Sequence, residues 1–540
     1  MYTHVLRRGA LAVAIAALAA LAVPASAVRL NKLDGELSHA AGSTSRRCII
    51  QFKAPLSSGQ IAQFGRSGVR FGRSLGNGAF QAAEATPLNL QKLTDDPRVI
   101  RVSADLPVRA TLDVADHAVL DPATLWFGSL KFSLGQDGSG VTVAVIDSGI
   151  AQVTGLSPRI GGFVNFVNGS GTLLPGRASI DDYGHGTHVA GIIAGQASLS
   201  QGAAFSGMAP GAKLLSLKAL DRNGAGYTSD LIAAFDWCVA NAAAQHIRVV
   251  NLSAGHLPME SYATDPLCQA AERAYRAGIT VVCSAGNNGD LGYGAVNSPA
   301  NDPYVITVGA VNDVSTYDRG DDLVASYSSR GPSVLDHILK PDLVAPGNKT
   351  VSWAAPNSTL YNDANIVHSG IPNHQVYPFM TLSGTSMAAP VVTGIVADML
   401  DRNNHASPDE IKARLMVTAT KLPEDIFTRG AGYVNATAAI YSTIAGTPLV
   451  AASPTVVQNA DGSCDLVDTV SGNRVVWGDR VVWGDRVVWG DRVVWGDRVV
   501  WGDRVVWGDR VVWGDRVVWG DRVVWGDRVV WGDSVLKQGE

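Results

Sequence analysis

The sequence predicts an α/β fold, a mainly parallel sheet flanked by helices, with a small α+β unit before it and a β-prone repeat tail after it. Three observations carry this prediction. Residues 141–146, Val-Thr-Val-Ala-Val-Ile, are a near-continuous β-branched run without polar alternation, the pattern of a parallel strand buried on both faces. Small apolar segments of helical character, Thr187 to Ala194 and Met387 to Leu400, lie to either side of further strand-like runs such as Gly278 to Cys283. From Arg474 to Asp533 the hexapeptide Arg-Val-Val-Trp-Gly-Asp occurs ten times without a substitution.

In chain order, Arg7 and Arg8 precede an apolar stretch from Leu11 to Val23 and then Pro24-Ala25-Ser26-Ala27, the pattern of a signal peptide over 1–27. The stretch is too short to span a bilayer comfortably, so the chain is expected to be secreted, extracellular or at the cell surface, without a transmembrane segment. The next segment is 28–112. Within it, residues 46–110 read as strand (Cys48 to Lys53), helix (Gly59 to Gly68), two short strands, helix (Leu88 to Leu93) and strand (Val99 to Val108). That succession is a split βαβ, or ferredoxin-like, unit. The strand pattern is lost between about Ala110 and Leu125, where a release point is expected. The α/β domain then covers 125–445, a linker of small and polar residues 446–473, the repeats 474–533 and a short tail 534–540.

Each hexapeptide is electrically neutral, and four residues of strong β propensity followed by Gly-Asp suit short strands joined by tight turns or the rungs of a β-solenoid. In both cases Val475 and Trp477 share one face, and Arg474 and Val476 the other. One Trp and two Val in every six residues argue against a permanently solvated chain. Such an array suggests cell-surface attachment or self-association. Composition adds exclusions: a net charge of −5 offers no basis for a nucleic-acid or anionic-membrane partner. Of five cysteines, Cys238, Cys268 and Cys283 fall in the α/β region and allow at most one internal bridge, expected between Cys238 and Cys268.

The chemistry centres on three runs. An aliphatic hydroxyl attacks a carbonyl only when a base takes its proton and donors receive the resulting charge. Ser386 lies in Gly-Thr-Ser-Met-Ala-Ala-Pro (384–390), at the amino end of a helical segment where N–H groups favour developing anionic charge. His185 lies in Asp-Tyr-Gly-His-Gly-Thr-His-Val-Ala-Gly (182–191), and the flanking Gly184 and Gly186 are expected to leave room for a substrate backbone. Asp147 closes the run 141–146, and open α/β sheets place their chemistry at the carboxyl ends of strands. It is suited to accept the imidazole N–H of His185 and so hold the ring. His188 shares a helix face with His185 and raises a metal-binding alternative, but no Glu follows at zincin spacing and no Cys or third His is near. Asn287, among Gly286, Asn288 and Gly289 in a turn after Cys283, offers a side-chain amide to an oxyanion. Ser253, Ala254 and Gly255, with Gly224, Ala225 and Gly226, are bare enough to pair by their backbones with an extended peptide, which makes polypeptide the expected substrate.

Taken in the order Asp147, His185, Ser386, these runs resemble the catalytic segments of the subtilisin-like serine proteases, the subtilase family. Ser-Ala-Gly-Asn-Asn-Gly (284–289) is similar to the family's oxyanion segment, Asn-Leu-Ser-Ala-Gly (251–255) to its substrate-binding strand, and Pro-Asp-Leu-Val-Ala-Pro-Gly (341–347) to a structural loop. The resemblance spans 125–445 and implies a serine endopeptidase acting through an acyl-enzyme. It makes Asn287 rather than Asn288 the oxyanion donor, and His188 a packed helix residue. It implies that the unit at 46–110 is an inhibitory propeptide, that the two bare segments flank the substrate, and that Ser284, Ala285 and Gly286 line the pocket for the residue before the cut. The floor of that pocket is expected near Asn297 to Ala300. No cofactor is implied for the chemistry. Structural calcium is common in the family, with Asp181, Asp182, Asp321 and Asp322 as candidates, although no metal-ligand set is assigned from sequence. The alternative is a surface adhesion or self-association protein whose protease-like domain serves only its own maturation or is inactive. Intact residue types at every chemical position count against it.

Overall fold

The computed structural model describes residues 32–39, 43–110, 136–167, 171–196, 206–314, 319, 321–369, 378–442, 450–458 and 464–470, with short strands at 474–475, 488–489 and 500–501. The expected signal peptide, the stretch 111–135, most of the repeats and the tail at 534–540 lie outside the described residues. The chain divides into two units, 1–106 and 107–540.

In the first unit β1 (Arg46–Phe52), β2 (Arg70–Leu75), β3 (Phe80–Ala85) and β4 (Val99–Ala104) form an antiparallel sheet of order β2-β3-β1-β4. With it come α1 (Gly35–Ser38), α2 (Ser58–Arg66) and α3 (Pro87–Asp95). The helix starts are written locally: Ser57 and Gln60 exchange hydrogen bonds in a capping box, and Thr86 caps α3 ahead of Pro87. Ile50, Phe52, Phe64, Leu90 and Val102 meet in one apolar core. The single strand expected from Val99 to Val108 is broken. Asp105 turns to take the Arg47 guanidinium at 2.7 Å, and a new strand starts at Pro107 in the second unit.

The second unit begins with β5 (Pro107–Ala110). Its main sheet uses β6 (Thr142–Asp147), β7 (Ile160–Asn165), β8 (Leu174–Pro175) and β9 (Lys213–Lys218). After β10 (Ala225–Tyr227), which lies elsewhere, come β11 (Ile247–Leu252) and, past β12 (Ala254–Gly255), β13 (Thr280–Ser284), β14 (Ile306–Asn312), β15 (Leu323–Val324) and β16 (Leu343–Pro346). The order is β15-β14-β13-β11-β6-β9-β7-β8 with β16 on β14, and every pair is parallel except those made by β8 and β15. The chain starts at β6, builds outward on one side and returns to build on the other, so β6 stands where the strand order reverses. In such sheets a crevice opens at the carboxyl end of that strand.

α4 (His185–Ala194) and α7 (Thr385–Arg402) cover one face, where Val143 and Val145 pack with Val189, Ile193, Val392 and Val396. α5 (Thr228–Gln245) and α6 (Pro266–Arg276) pack on each other and on β6, β11 and β13. α8 (Pro408–Val417), α9 (Ile426–Arg429) and α10 (Ala436–Tyr441) follow, and β17 (Thr350–Trp353), β18 (Val367–Ser369) and β19 (Phe379–Leu382) make a small antiparallel sheet before α7. The expected Cys238–Cys268 bridge is absent: both are free, buried thiols, and Cys268 Sγ lies against Ser298 Oγ and Asn301 Oδ1.

Residues 450–458 and 464–470, expected as linker, are folded. β20 (Thr455–Gln458), β21 (Cys464–Val467) and β22 (Arg474–Val475) pair antiparallel, and Ala451, Ala452 and Ser453 are buried. The reason is electrostatic as well as apolar. Ser453 Oγ completes a buried cluster in which Lys340 and Lys412 meet Asp342 at 2.8 and 3.2 Å. Further on, β23 (Val488–Trp489) and β24 (Val500–Trp501) pair parallel, Val on Val and Trp on Trp, two hexapeptides apart. A tight-turn hairpin would pair them antiparallel.

Candidate active site

Asp147 ends β6 at the switch point and is fully buried. His185 begins α4, and its Nδ1 stands 2.8 and 3.0 Å from the two Asp147 carboxylate oxygens. The carboxylate therefore keeps the proton on Nδ1, leaving Nε2 as the ring's acceptor. Nε2 is buried without a hydrogen-bond partner. Gly186 serves a different purpose from the one expected: a Cβ there would collide with the Gly149 carbonyl and crowd Asp147, so the glycine lets α4 approach β6.

Asp181 organises this approach. One carboxylate oxygen accepts from Ser148 Oγ and the Gly184 N–H at 2.9 and 2.7 Å, the other from the Thr187 N–H and hydroxyl at 2.8 and 2.6 Å. Burial pushes the Asp181 carboxyl up, and these hydrogen bonds act against it. Asp182 Oδ1 meets Lys218 Nζ at 2.5 Å. The chain's own donors thus already engage both carboxylates. Asp322 is buried, and burial with the nearby Asp313 and Asp321 carboxylates pushes it up to about 6. Among the described residues no group of three or more His, Cys, Asp and Glu is placed to hold a metal ion.

His188 lies one turn along α4 with Nε2 at 3.1 Å from both the Thr350 and Met380 carbonyls, so that nitrogen donates. Burial first, and His185 second, pull it down to about 3 from an ordinary 6.5. The unfolded chain then binds the extra proton between those values, so stability falls as pH drops through that window, by up to about 1.4 kcal/mol per pH unit. Urea unfolding in an inactive background should show this, and His188→Gln should flatten the slope between pH 6 and 4 by about one proton.

Ser386 is the second residue of α7, in the turn where helix amides point outward along the axis. Pro390, four residues on, has no N–H to give the Ser386 carbonyl. Ser253 Oγ supplies that donor at 3.1 Å, while the Ser386 hydroxyl donates to the Ser253 carbonyl at 3.0 Å. Asn251, itself held by Thr393, donates to Ser253 Oγ, which ties the end of β11 to α7. Asn287 Oδ1 accepts from the Thr385 N–H and hydroxyl at 3.0 and 2.9 Å, so its Nδ2 is turned away and is buried without a partner. Asn288 Nδ2, by contrast, is committed to the Ala295 carbonyl and Asn297 Oδ1. Thr385, Ser148, Asp181 and Pro390 were not singled out from sequence for these roles, although all sit inside or beside the motif runs.

Of the expected substrate contacts, Ala225 and Gly226 lie in β10, with Gly224 just before, and Ala254 and Gly255 form β12, with Ser253 just before. β10 and β12 flank a third strand, β5, in antiparallel register. Ser284 ends β13, and Ala285 and Gly286 continue into the turn. Gly286 has φ of +107°, and a Cβ there would meet the Asn297 amide. Asn297 and Ser298 back this region, the first bonded to the Ala285 carbonyl at 2.9 Å, the second paired with His256.

Residues 138–434 match the model of the subtilase family. Serine protease AprX of Bacillus subtilis (strain 168) is 38% identical over 362 residues, 66% of this chain and 77% of that protein. The extracellular serine proteinase of Thermus sp. (strain Rt41A) is 33% identical over 354 residues, 63% of this chain and 70% of that protein. Among solved structures, fervidolysin from Fervidobacterium pennivorans, described as a keratinolytic enzyme related to subtilisin, superposes with a TM-score of 0.59. At 22% identity, over 79% of this chain and 68% of that one, it is a likeness of fold. Sheet topology and sequence together thus define a subtilisin-like serine endopeptidase. The chain belongs to the subtilase family.

Proposed function

We propose that the chain is a secreted endopeptidase, made as a zymogen, that cuts polypeptides through Asp147, His185 and Ser386. The observation that carries this reading is the buried pairing of Asp147, at the end of β6, with His185, at the start of a helix that packs against the one carrying Ser386, together with the unpartnered Asn287 amide, whose oxygen is held by Thr385 next to Ser386. The Ser386 hydroxyl turns from the Ser253 carbonyl to His185 Nε2, gives up its proton and attacks the substrate carbonyl. The oxyanion takes hydrogen bonds from Asn287 Nδ2 and the Ser386 N–H. His185 then protonates the leaving amine, and water hydrolyses the acyl-enzyme with His185 again as base. The substrate pairs as a strand with 224–226 and 253–255, and Ser284, Ala285 and Gly286 line the pocket for the residue before the cut. Residues 28–112 act as signal-free propeptide, with the ferredoxin-like unit as intramolecular inhibitor. β5, seated between β10 and β12, supports that role.

The repeats are an accessory module for cell-surface attachment or self-association, and the parallel β23–β24 pairing supports a solenoid-like stack. Labelling with a fluorophosphonate followed by peptide mass spectrometry should find the adduct on Ser386, and Ser386→Ala should abolish both labelling and casein hydrolysis. A folded wild-type protein that neither labels nor cleaves casein would sink the reading.

A further inference from the structure

The first hexapeptide begins inside the second unit. Arg474 and Val475 form β22, antiparallel to β21 with Val475 opposite Leu466, whereas β23 and β24 of later hexapeptides pair parallel with each other. Leu466 and Val456 pack with Leu339, Ile426 and Phe427. Phe427 in turn meets Tyr293 edge to face, ring centroids 6.3 Å apart. Tyr293 pairs with Arg330 through the backbone, and Val334 lies against Gly294. Here Tyr293, Val334 and Leu335 are 57, 51 and 48% exposed. Scattered apolar side chains at a surface are ordinary, but three together beside an idle cation are not. The cation is Arg330, whose Nε is buried without a hydrogen-bond partner and whose guanidinium has no ion pair among the described residues. The N–H groups of Val334, Leu335 and Asp336 likewise have no hydrogen-bond partner among the described residues.

We propose that Tyr293, Arg330, Val334 and Leu335 form a docking site for residues 476–485, Val-Trp-Gly-Asp-Arg-Val-Val-Trp-Gly-Asp, so that the first two hexapeptides are held on the second unit and only later ones stack. Place, reach and chemistry select this occupant. At Val475 the chain stands opposite Leu466, which shares a cluster with the Phe427 ring that meets Tyr293. Ten extended residues reach about 33 Å, ample for that step. The segment also carries both groups that the surface lacks: Val and Trp for the exposed apolar side chains, and Asp479 or Asp485 for Arg330. A guanidinium that meets a carboxylate beside apolar contacts makes a charge-assisted hydrogen bond, which fixes register as well as position. Arg330 follows Ser329, whose hydroxyl accepts from the Asn288 N–H. The docked segment therefore lies beside the turn that carries Asn287, and the array is carried there rather than on a free tether.

Amide hydrogen exchange on the full-length chain, in the Ser386→Ala background so that no cleavage intervenes, tests the docking. Amides at 334–336 should exchange at least about tenfold more slowly than open-loop amides, because only a covering segment can protect them. Asp479→Lys with Asp485→Lys should release that protection, and Arg330→Glu should release it as well. Combining the three substitutions reverses both charges and should restore protection to within about threefold of the parent. A role of Arg330 in local folding alone predicts no such rescue, and circular dichroism checks that each variant folds. Fast exchange at 334–336 in the parent, or protection indifferent to changes at 479 and 485, overturns the proposal, as does loss without rescue. Protection that rises with protein concentration overturns it in favour of a second copy of the chain as occupant. None of these readouts depends on catalysis, so the protease reading stands or falls separately.

Discussion

Asp147→Asn should lower kcat on a chromogenic peptide by about four orders of magnitude with little change in KM or fold. The substituted amide occupies the same volume at the end of β6 and can still accept from the Ser148 N–H, which meets Asp147 Oδ1 at 2.7 Å. What it loses is the charge, and with it the tautomer. An amide NH2 facing His185 Nδ1 favours the ring form that carries its proton on Nε2, and Nε2 is the atom that has to accept from Ser386. The imidazolium formed during attack also loses its counter-ion in a site where Asp147 and His185 have no exposure to water that could screen the loss. Ser386→Ala serves as the blank for contaminating wild-type enzyme, and circular dichroism checks the fold. A variant that keeps more than about a hundredth of wild-type kcat would show that Asp147 only packs against the ring.

Asp342→Asn should destabilise the second unit by about 3–5 kcal/mol, the range for removing one partner of a buried ion pair. Asp342 accepts from Lys340 Nζ and the Thr307 N–H on one oxygen and from Ser453 on the other, with Lys412 Nζ 3.2 Å away. Burial alone would raise its carboxyl, but the two ammonium groups outweigh burial and hold it below the usual carboxylate range. Burial likewise pulls Lys412 down to about 7. Without the carboxylate, two cations share one apolar site, and Ser453 loses the acceptor that anchors residues 450–458. The loss should be larger at pH 6, where Lys412 keeps its proton in the folded chain, than at pH 9, where Lys412 sheds it on folding. Thermal unfolding in the Ser386→Ala background should show a midpoint drop on the order of 10 °C. No shift at pH 6 would mean that the segment is held by apolar contacts such as that of Leu466 with Leu339 alone.

The parts of this molecule that could be read in advance are those in which local chemistry and global placement agree. The run 141–146 reads as a strand buried on both faces, and an aspartate at its end stands where such a sheet opens its crevice, although Asp-Ser-Gly alone would equally suit an ordinary strand-end turn. Asn287 is told from Asn288 by resemblance; the hydrogen bonds add that Thr385 holds the Asn287 oxygen and leaves its amide nitrogen without a partner, while the Asn288 nitrogen is spent on Ala295 and Asn297. Gly186 was misread because its constraint comes from Gly149, a residue distant in sequence whose carbonyl lies where a Cβ would go. Where the expected linker is described, at 450–458 and 464–470, it is folded for a similar reason. Alanine, serine and threonine are loop-like in composition, and nothing local announces that Ser453 closes a charge cluster built from positions 340, 342 and 412.

What the amino-acid order supplied by itself was the set of candidate reacting groups, because a nucleophile, a base and an anion require particular side chains in turn-and-helix contexts that are short and local. What only the folded chain decided was which backbone and side-chain atoms are left without partners at that point. The idle Asn287 Nδ2 and His185 Nε2, and the register that pairs β5 with β12, come from contacts between segments distant in sequence, 38 residues apart for Asp147 with His185 and 98 for Asn287 with Thr385. Pairing of that range is set by the packing of the whole sheet and its helices, and no window of sequence contains it.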